Sequence, residues 1–297
     1  MSEFRAGFVS FVGRPNVGKS TLTNALVGEK IAITSSRPQT TRRAIRGIRD
    51  HDNGQLILVD TPGIHRPRTL LGERLNSLVQ STLSGVDVIG FCVPADQTIG
   101  PGDRFIVDQL NDYPRARTVA IVTKSDAASQ RHIAEQLLAL DALRSWDCLI
   151  PVSAKDNRQL DELSDELVKL LPVSSRALYP RGEVTDERRE DRIAELIRES
   201  ILERVDDELP HSLAVTIDDV IEREGGDIVD VYANVFVERD SQKAIVIGKG
   251  GAMLRAVGSI ARPGIEELIG KRVYLSLRVK VAKDWQRNPK QLGRLGF

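Results

Sequence analysis

Five short apolar runs punctuate the first half of the chain: Gly7 to Val12, Leu56 to Val59, Val86 to Val93, Thr118 to Val122 and Cys148 to Val152. None shows the strict alternation of a strand with one wet face, so the pattern predicts strands covered on both sides, as in a parallel sheet. Helical periodicity follows Gly18, Gly102, Ser129 and Gln159, which supplies the crossovers that parallel strands need. Residues 1–172 therefore read as an α/β domain with a mostly parallel sheet.

The alternation stops at Leu171-Pro172. Residues 173–185 lack sustained periodicity and carry Pro180 and Gly182, which predicts a linker. A second domain is expected over 186–297. Asp186 is placed to cap a helix in which Ile193, Leu196, Ile197, Ile201 and Leu202 recur at helical spacing. Alternating stretches, Leu213 to Ile221 and Ile228 to Val237, predict paired strands. A short helix, the turn Gly248-Lys249-Gly250-Gly251, a helix from Ala252 to Ile269 and a strand from Arg272 to Val281 complete an α+β pattern.

Composition adds a broad class and one asymmetry. The chain of 297 residues is 41% hydrophobic and 28% charged, ample for two folded domains. The opening MSEFRAGFVSFVG holds too short an apolar stretch for a signal peptide or a membrane span, so a cytoplasmic place of action is expected. Cys92 and Cys148 lie in strand-like runs with no His or Cys nearby, and both read as buried thiols. The formal net charge of zero conceals an acidic segment, 181–242, with 8 basic and 19 acidic residues. A basic one follows, 243–297, with 12 basic and 3 acidic. A net charge of +9 over the last segment, 12 minus 3, points to a polyanionic partner.

Chemistry enters with residues 13–20, GRPNVGKS, which fit G-x-x-x-x-G-K-[ST] directly after a buried strand and at the start of a helix. Gly13, Arg14, Pro15, Asn16, Val17, Gly18, Lys19, Ser20 and Thr21 thus form a phosphate loop and the first turn behind it. Lys19 is aimed at the β and γ phosphates and Ser20 at Mg²⁺. Asp60, Thr61, Pro62 and Gly63 follow another buried strand. Asp60 is the expected partner of the metal, and the Gly63 amide can approach a γ-phosphate because glycine has no side chain to clash. The stretch SSRPQTTRR between the two motifs has the polarity of a switch loop closing over the metal. Thr41 is favoured over Thr40 as the ligand, although spacing alone leaves both open.

Thr123, Lys124 and Asp126 of TKSD end one buried strand, and Ser153, Ala154 and Lys155 end the next. With the earlier motifs this series resembles the GTPase set. By that resemblance Asp126 pairs with guanine N1 and N2, Lys124 lies along the base and the Ala154 amide meets O6. An adenine would leave the carboxylate unpaired. The family has asparagine where Thr123 stands, which predicts the loss of a polar tie between the base loop and the phosphate loop.

GRPNVGKST, PQTTR, DTPG and VIGKGG together resemble the Era-type GTPases, which join such a domain to a C-terminal KH domain of the second type, and the likeness runs over nearly the whole chain. It implies that Ile247, Gly248, Lys249, Gly250, Gly251 and Arg255 hold single-stranded RNA, the glycines admitting the backbone and Lys249 supplying charge. It implies further a GTP/GDP-operated monomer. Its expected partners are the 3′ region of 16S ribosomal RNA and the assembling small ribosomal subunit, with peripheral association to the inner face of the cell membrane. Ile64 stands where many GTPases carry a water-orienting glutamine, so turnover is expected to be slow. Lys19, Thr41, Asp60, Gly63 and Asn16 are the expected catalytic group. Asn16 matches the asparagine that in related GTPases helps hold K⁺, which makes K⁺ a second expected cofactor beside Mg²⁺. His65 reads as a neutral surface residue rather than a base. Trp285 is expected either to stack on a base or to anchor the last helix, and the anchor is favoured. Two other readings stand against this one: a P-loop ATPase or kinase, which TKSD opposes, and an RNA-binding assembly factor with a passive nucleotide sensor.

Overall fold

The computed structural model describes residues 3–297 apart from 36, 38, 39, 65, 66 and 206–208, so His65 and part of the switch loop lie outside the described residues. The chain forms two units. The first comprises Met1–Ala32, Thr41–Arg66 and Leu75–Asp186; the second comprises Ile33–Thr40, Pro67–Arg74 and Glu187–Phe297.

In the first unit the strands are β1 (Arg5–Val12), β2 (Ile45–His51), β3 (Gly54–Asp60), β4 (Val88–Pro94), β5 (Arg117–Thr123) and β6 (Cys148–Pro151). They form one sheet in the order β2-β3-β1-β4-β5-β6, with only β2 antiparallel to its neighbour. Alternate residues of each strand feed two cores. Val9, Phe11, Val88, Cys92, Val119 and Ile121 face Leu22 and Leu26 of α1 (Lys19–Val27) and Leu163 and Leu167, which belong to a later helix. Ile89, Phe91, Val93, Ala120 and Val122 face Val79 and Leu83 of α2 (Leu70–Gly85), Ile106 of α3 (Pro101–Gln109) and Ile133 and Leu140 of α4 (Gln130–Asp141). The later helix is α5 (Leu160–Leu170). Helices on both faces explain why β3 and β4 are buried at every position. Strand β1 pairs with β3 on one side and β4 on the other, so the order reverses at β1. The crevice beyond its carboxyl end is where ligands of such sheets bind.

Two of these elements did not emerge from the sequence. Helix α2 buries Leu71, Leu75, Val79 and Leu83, an every-fourth-residue signal diluted by Gly, Ser and Thr. Strand β2, IRGIRDH, is an edge strand with four ionisable side chains, which masks its strand character. Residues 173–186 run along that edge: Ile48 N donates to Val184 O at 2.9 Å, and Gly47 bridges Thr185. Asp186 does not cap a helix. It accepts from Arg46 at 3.0 Å and from the Tyr179 hydroxyl at 2.8 Å, and the following helix begins only at Arg189. The Arg46 guanidinium brings a full positive charge that backbone amides lack. Cys92 is fully buried, whereas Cys148 is partly exposed on β6 at the far edge of the sheet.

The second unit contains α6 (Arg189–Leu202), β7 (Ala214–Glu222), β8 (Ile228–Val237), α7 (Asp240–Ile247), α8 (Ala252–Ile269), β9 (Arg272–Val281) and α9 (Pro289–Arg294). Its sheet runs β7-β8-β9, with β7 antiparallel and β9 parallel to β8. Ile193, Ile197 and Ile201 of α6 and Val257, Ala261 and Ile265 of α8 pack on Val229, Val231, Ala233 and Val235 of β8. Trp285 is an anchor: it is wholly buried, donates Nε1 to Ser212 O at 2.9 Å and stacks on Phe297. The stretch Asp240–Ile269 has a window of mean hydropathy 1.3, but positive φ at Gly248, Gly250 and Gly251 breaks it into two helices.

Candidate functional site

The chain leaves β1 at Val12, turns through residues 13–18 and enters α1 at Lys19. Gly13 is required by contact, because a Cβ there would stand 2.6 Å from the Cys92 carbonyl oxygen. Lys19 folds back over the loop and donates to Gly13 O at 3.1 Å and Arg14 O at 2.9 Å, the posture of an ammonium held at the phosphate position. A Cβ on Gly63 would lie 3.5 Å from Lys19 Nζ, so that glycine borders the same space. Asn16 sits exposed at the loop tip with φ 64°, and Pro15 is exposed beside it. Arg14, whose role the sequence left open, reaches Asp103 at the start of α3 with Nε to Oδ1 at 2.8 Å. Asp103 is fully buried and also accepts the Gly100 amide at 2.9 Å, so it ties the phosphate loop to α3. Nothing local marks Asp103, which lies 89 residues from its partner.

Beside Lys19, three side chains from three elements converge. Ser20 Oγ lies 2.7 Å from Asp60 Oδ2, Thr41 Oγ1 lies 3.1 Å from the same oxygen, and the two hydroxyls are 3.1 Å apart. Asp60 Oδ1 is buried with no hydrogen-bond partner among the described residues. A compact set of oxygen donors with one orphaned carboxylate oxygen suits a hard divalent cation such as Mg²⁺. Thr40 does not join it; its hydroxyl donates to Arg37 O at 2.6 Å. Burial pushes the Asp60 pKa up, against hydrogen bonds from Ser20 and the charge of Lys19. Burial likewise pulls the Lys19 pKa down, against the charge of Asp60. Both shifts mark a site that favours added counter-charge, positive at the carboxylate and negative at the ammonium. Cys92, beneath the loop, is pushed up to about 12 by burial and stays a thiol.

Strands β5 and β6 deliver the second half of the site on the same edge. Lys124 takes a left-handed conformation, φ 55°, that turns the chain out of β5, and Asp126 follows in a short helical turn. Ser153 Oγ donates to Asp126 Oδ1 at 2.6 Å and holds its pKa below the ordinary carboxylate range. Ala154 and Lys155 continue from Ser153 towards solvent. The expected loss of a polar tie at Thr123 is corrected by the structure: Thr123 Oγ1 donates to Val17 O at 2.6 Å, within the buried interior. The hydroxyl of a β-branched side chain reaches the phosphate-loop carbonyl directly, so the threonine keeps the tie.

In the second unit, Gly248 to Gly251 join α7 to α8. A Cβ on Gly248 would fall 2.6 Å from Met253 Cβ, which only glycine avoids. Lys249 and Gly250 are exposed and Ile247 is half-buried. Arg255 donates Nη1 to Gly250 O at 2.8 Å and so braces the turn. All the candidate nucleotide residues thus lie in the first unit and all the candidate RNA residues in the second.

Residues 8–125 match the family described as "50S ribosome-binding GTPase" and residues 208–286 match the KH domain family. GTPase Era of Leifsonia xyli subsp. xyli is 72% identical over 297 residues, covering all of both chains. GTPase Era of Mycolicibacterium smegmatis is 62% identical over 300 residues, again over all of both. This chain belongs to the Era family of GTPases. Among solved structures, an Era in complex with MgGDPNP and nucleotides 1506–1542 of 16S ribosomal RNA is 31% identical. It covers 99% of each chain with a TM-score of 0.93. An Aquifex aeolicus Era variant bound to GDP.AlF4- is 30% identical with the same score and coverage. The Era family match extends from the phosphate loop through the GKGG turn, so the joined GTPase and KH folds are the family's own arrangement, and the chain is a GTPase.

Proposed function

We propose that this Era-family GTPase binds the 3′ region of 16S ribosomal RNA through its KH unit and assists assembly of the small ribosomal subunit in the cytoplasm, with the bound nucleotide setting its engagement. The full-length likeness to an Era that holds MgGDPNP and nucleotides 1506–1542 of 16S ribosomal RNA carries this reading. The description of the GTPase family names the 50S subunit, but that match ends at residue 125, before the turn that meets RNA. The whole-length relative is therefore the better guide to the partner. The net charge of +9 on residues 243–297 supports a polyanionic partner there, RNA first and acidic lipid headgroups at a membrane surface second.

At the phosphate site, Ser20, Thr41 and Asp60 would hold Mg²⁺, which when bound supplies charge neutralisation to the phosphates. Lys19 reaches the β and γ phosphates. The amides of residues 14–20 cradle them, and the Gly63 amide meets the γ-phosphate. Asp126, oriented by Ser153, takes the guanine N1 and N2 hydrogens, with Lys124 along the base and the Ala154 amide at O6. Ile64 offers no hydrogen bond to an attacking water, so hydrolysis rests on positioning and electrostatics. Asn16 is exposed at the loop tip and would help hold K⁺.

The test is phosphate release from GTP in Mg²⁺ with K⁺ or Na⁺, with and without RNA carrying the 3′ end of 16S ribosomal RNA. Turnover stimulated by K⁺ and RNA, and abolished in Lys19→Ala, is the expected result. Tight GTP and RNA binding with no stimulated turnover would make the nucleotide domain a passive sensor and overturn the catalytic part.

A further inference from the structure

Residues 13–18 hold a shape that costs free energy by itself. Asn16 and Gly18 take left-handed conformations, φ 64° and 97°, and for Asn16, which carries a side chain, such a turn persists only under outside support. A loop that gathers N–H groups around an anion also sets like dipoles facing one another before the anion arrives. Three holds oppose relaxation, each from a different side. Lys19 Nζ donates to Gly13 O and Arg14 O from within the loop, at 3.1 and 2.9 Å, and Thr123 Oγ1 donates to Val17 O at 2.6 Å. The third hold is on Arg14. Its stem lies across the start of α3, where a Cβ on Gly102 would stand 3.3 Å from Arg14 Cδ. Its Nε donates to Asp103 Oδ1 at 2.8 Å and its Nη2 to Gln97 Oε1 at 3.2 Å.

The far side of this clamp is itself fixed. Asp103 is fully buried, and its other oxygen, Oδ2, accepts the Gly100 amide at 2.9 Å across the first turn of α3. The Asp103 and Arg104 amides in turn donate to Gly100 O at 3.1 and 3.2 Å. Gln136 of α4 is buried too and donates to Pro94 O at 3.1 Å and to Gln97 O, which secures the segment that brings Gln97 to Arg14. A buried carboxylate with both oxygens engaged cannot follow a moving partner, whereas the Arg14 side chain is 32% exposed, so α3 sets the place of Arg14. The Arg14 carbonyl is one of the two acceptors of Lys19, and Pro15 Cγ would lie 3.6 Å from a Cβ on Gly63. The residues that Asp103 fixes thus border the space proposed for the phosphates. We infer that Asp103 is a positioning residue for nucleotide binding, which acts through Arg14 to keep the phosphate loop in its binding shape before the nucleotide arrives. This rests on the reading of residues 13–20 as the phosphate loop, and adds the residue outside the loop that preorganises it.

The experiment measures two constants of the full-length protein in Mg²⁺: the Kd of fluorescently labelled GDP, and the inhibition constant of guanosine, which offers the base without phosphates, in competition with it. Arg14→Met keeps the stem and removes the charge. Asp103→Asn keeps an oxygen for the Gly100 amide but presents an amide NH₂ to Arg14 in place of a carboxylate oxygen. Each is expected to raise the GDP Kd about tenfold, while the guanosine constant stays within about twofold of the wild-type value. The double variant should be weaker than the weaker single one by no more than about twofold, because the two side chains act as one clamp. Arg14→Lys, whose ammonium still pairs with Asp103, should bring the GDP Kd back to within about threefold of wild type. Wild-type GDP affinity in either folded variant, or an equal loss for GDP and guanosine, overturns the inference. If Asp103→Asn does not fold, Arg14→Met and Arg14→Lys decide the matter, since that position is partly exposed. GDP affinity that survives Lys19→Ala unchanged would instead remove the reading of the loop itself.

Discussion

A single hydroxyl separates expectation from structure at Thr123. Sequence comparison of motifs counts a missing asparagine amide, but the threonine Oγ1 already satisfies the buried Val17 carbonyl at 2.6 Å. Thr123→Val keeps the shape and orphans that carbonyl, so it should destabilise the protein by about 1–3 kcal/mol in equilibrium urea unfolding. It should also weaken GDP binding. Ser153 acts on Asp126 in the same direct way. The hydrogen bond it donates lowers the Asp126 pKa, so the ionised carboxylate proposed to pair with guanine persists as pH falls below the ordinary value and is lost only on passing the lowered one. Ser153→Ala returns that pKa towards 3.8. Its GDP affinity, followed by titration from neutral to acidic pH, should begin to fall at a higher pH than in the wild-type protein. Identical pH profiles would mean that Ser153 does not orient the base-reading carboxylate.

Among the elements, those whose pattern is self-contained were legible and those defined by a neighbour were not. Helix α8 and strand β9 lie between the bounds their periodicity predicts, Ala252–Ile269 and Arg272–Val281, because each carries a complete apolar face. Strand β2 is a strand because β3 pairs with it and residues 173–186 cover its edge, which no local signal reveals. Gln55 on β3 is the hub of that cover. Fully buried, it donates to Asp50 at 2.9 Å and to Tyr179 O at 3.0 Å, and accepts the amides of Leu178 and Tyr179 at 2.8 and 2.9 Å. Gln55→Leu removes all four bonds and frees the middle of the 173–186 strap, which keeps its holds on either side, among them Ser174 N to Phe4 O at 2.9 Å, Gly182 N to Asp50 Oδ2 at 2.8 Å, the Val184 and Thr185 contacts and the Asp186–Arg46 pair. Trypsin should then cut after Arg176 or Arg181 about tenfold faster than in the wild-type protein, through local opening that costs about 1.4 kcal/mol less. An unchanged cleavage rate would show that the β2 edge holds the strap without Gln55.

At the scale of the molecule, binding is the strongest available lever on stability. A ligand that binds only the folded state stabilises it by about 2.7 kcal/mol at one hundred times its Kd. The GTP analogue with Mg²⁺ should therefore raise Tm. EDTA should cancel most of the rise by removing the ion proposed for Ser20, Thr41 and Asp60, and an ATP analogue at equal concentration should produce little, since adenine offers Asp126, the proposed base selector, no paired donors. Equal shifts with both nucleotides would count against Asp126 as the selector. The charge asymmetry belongs to this scale too. The acidic 181–242 and basic 243–297 segments, 8 minus 19 and 12 minus 3, nearly offset each other, yet residues of both build the one KH sheet and its helices.

The sequence by itself determined the α/β and α+β classes, the phosphate loop, Asp60, the base loop and the GKGG turn. Each of these is a short motif whose chemistry is local and whose flanking elements have their own periodicity. The tertiary structure decided what depends on groups far apart in the chain: the Thr123 bond to the phosphate loop, the Asp103 anchor for Arg14, and the choice of Thr41 over Thr40 in the oxygen cluster. A hydrogen bond needs its partners within about 3 Å, and sequence order does not encode which distant residues meet at that range.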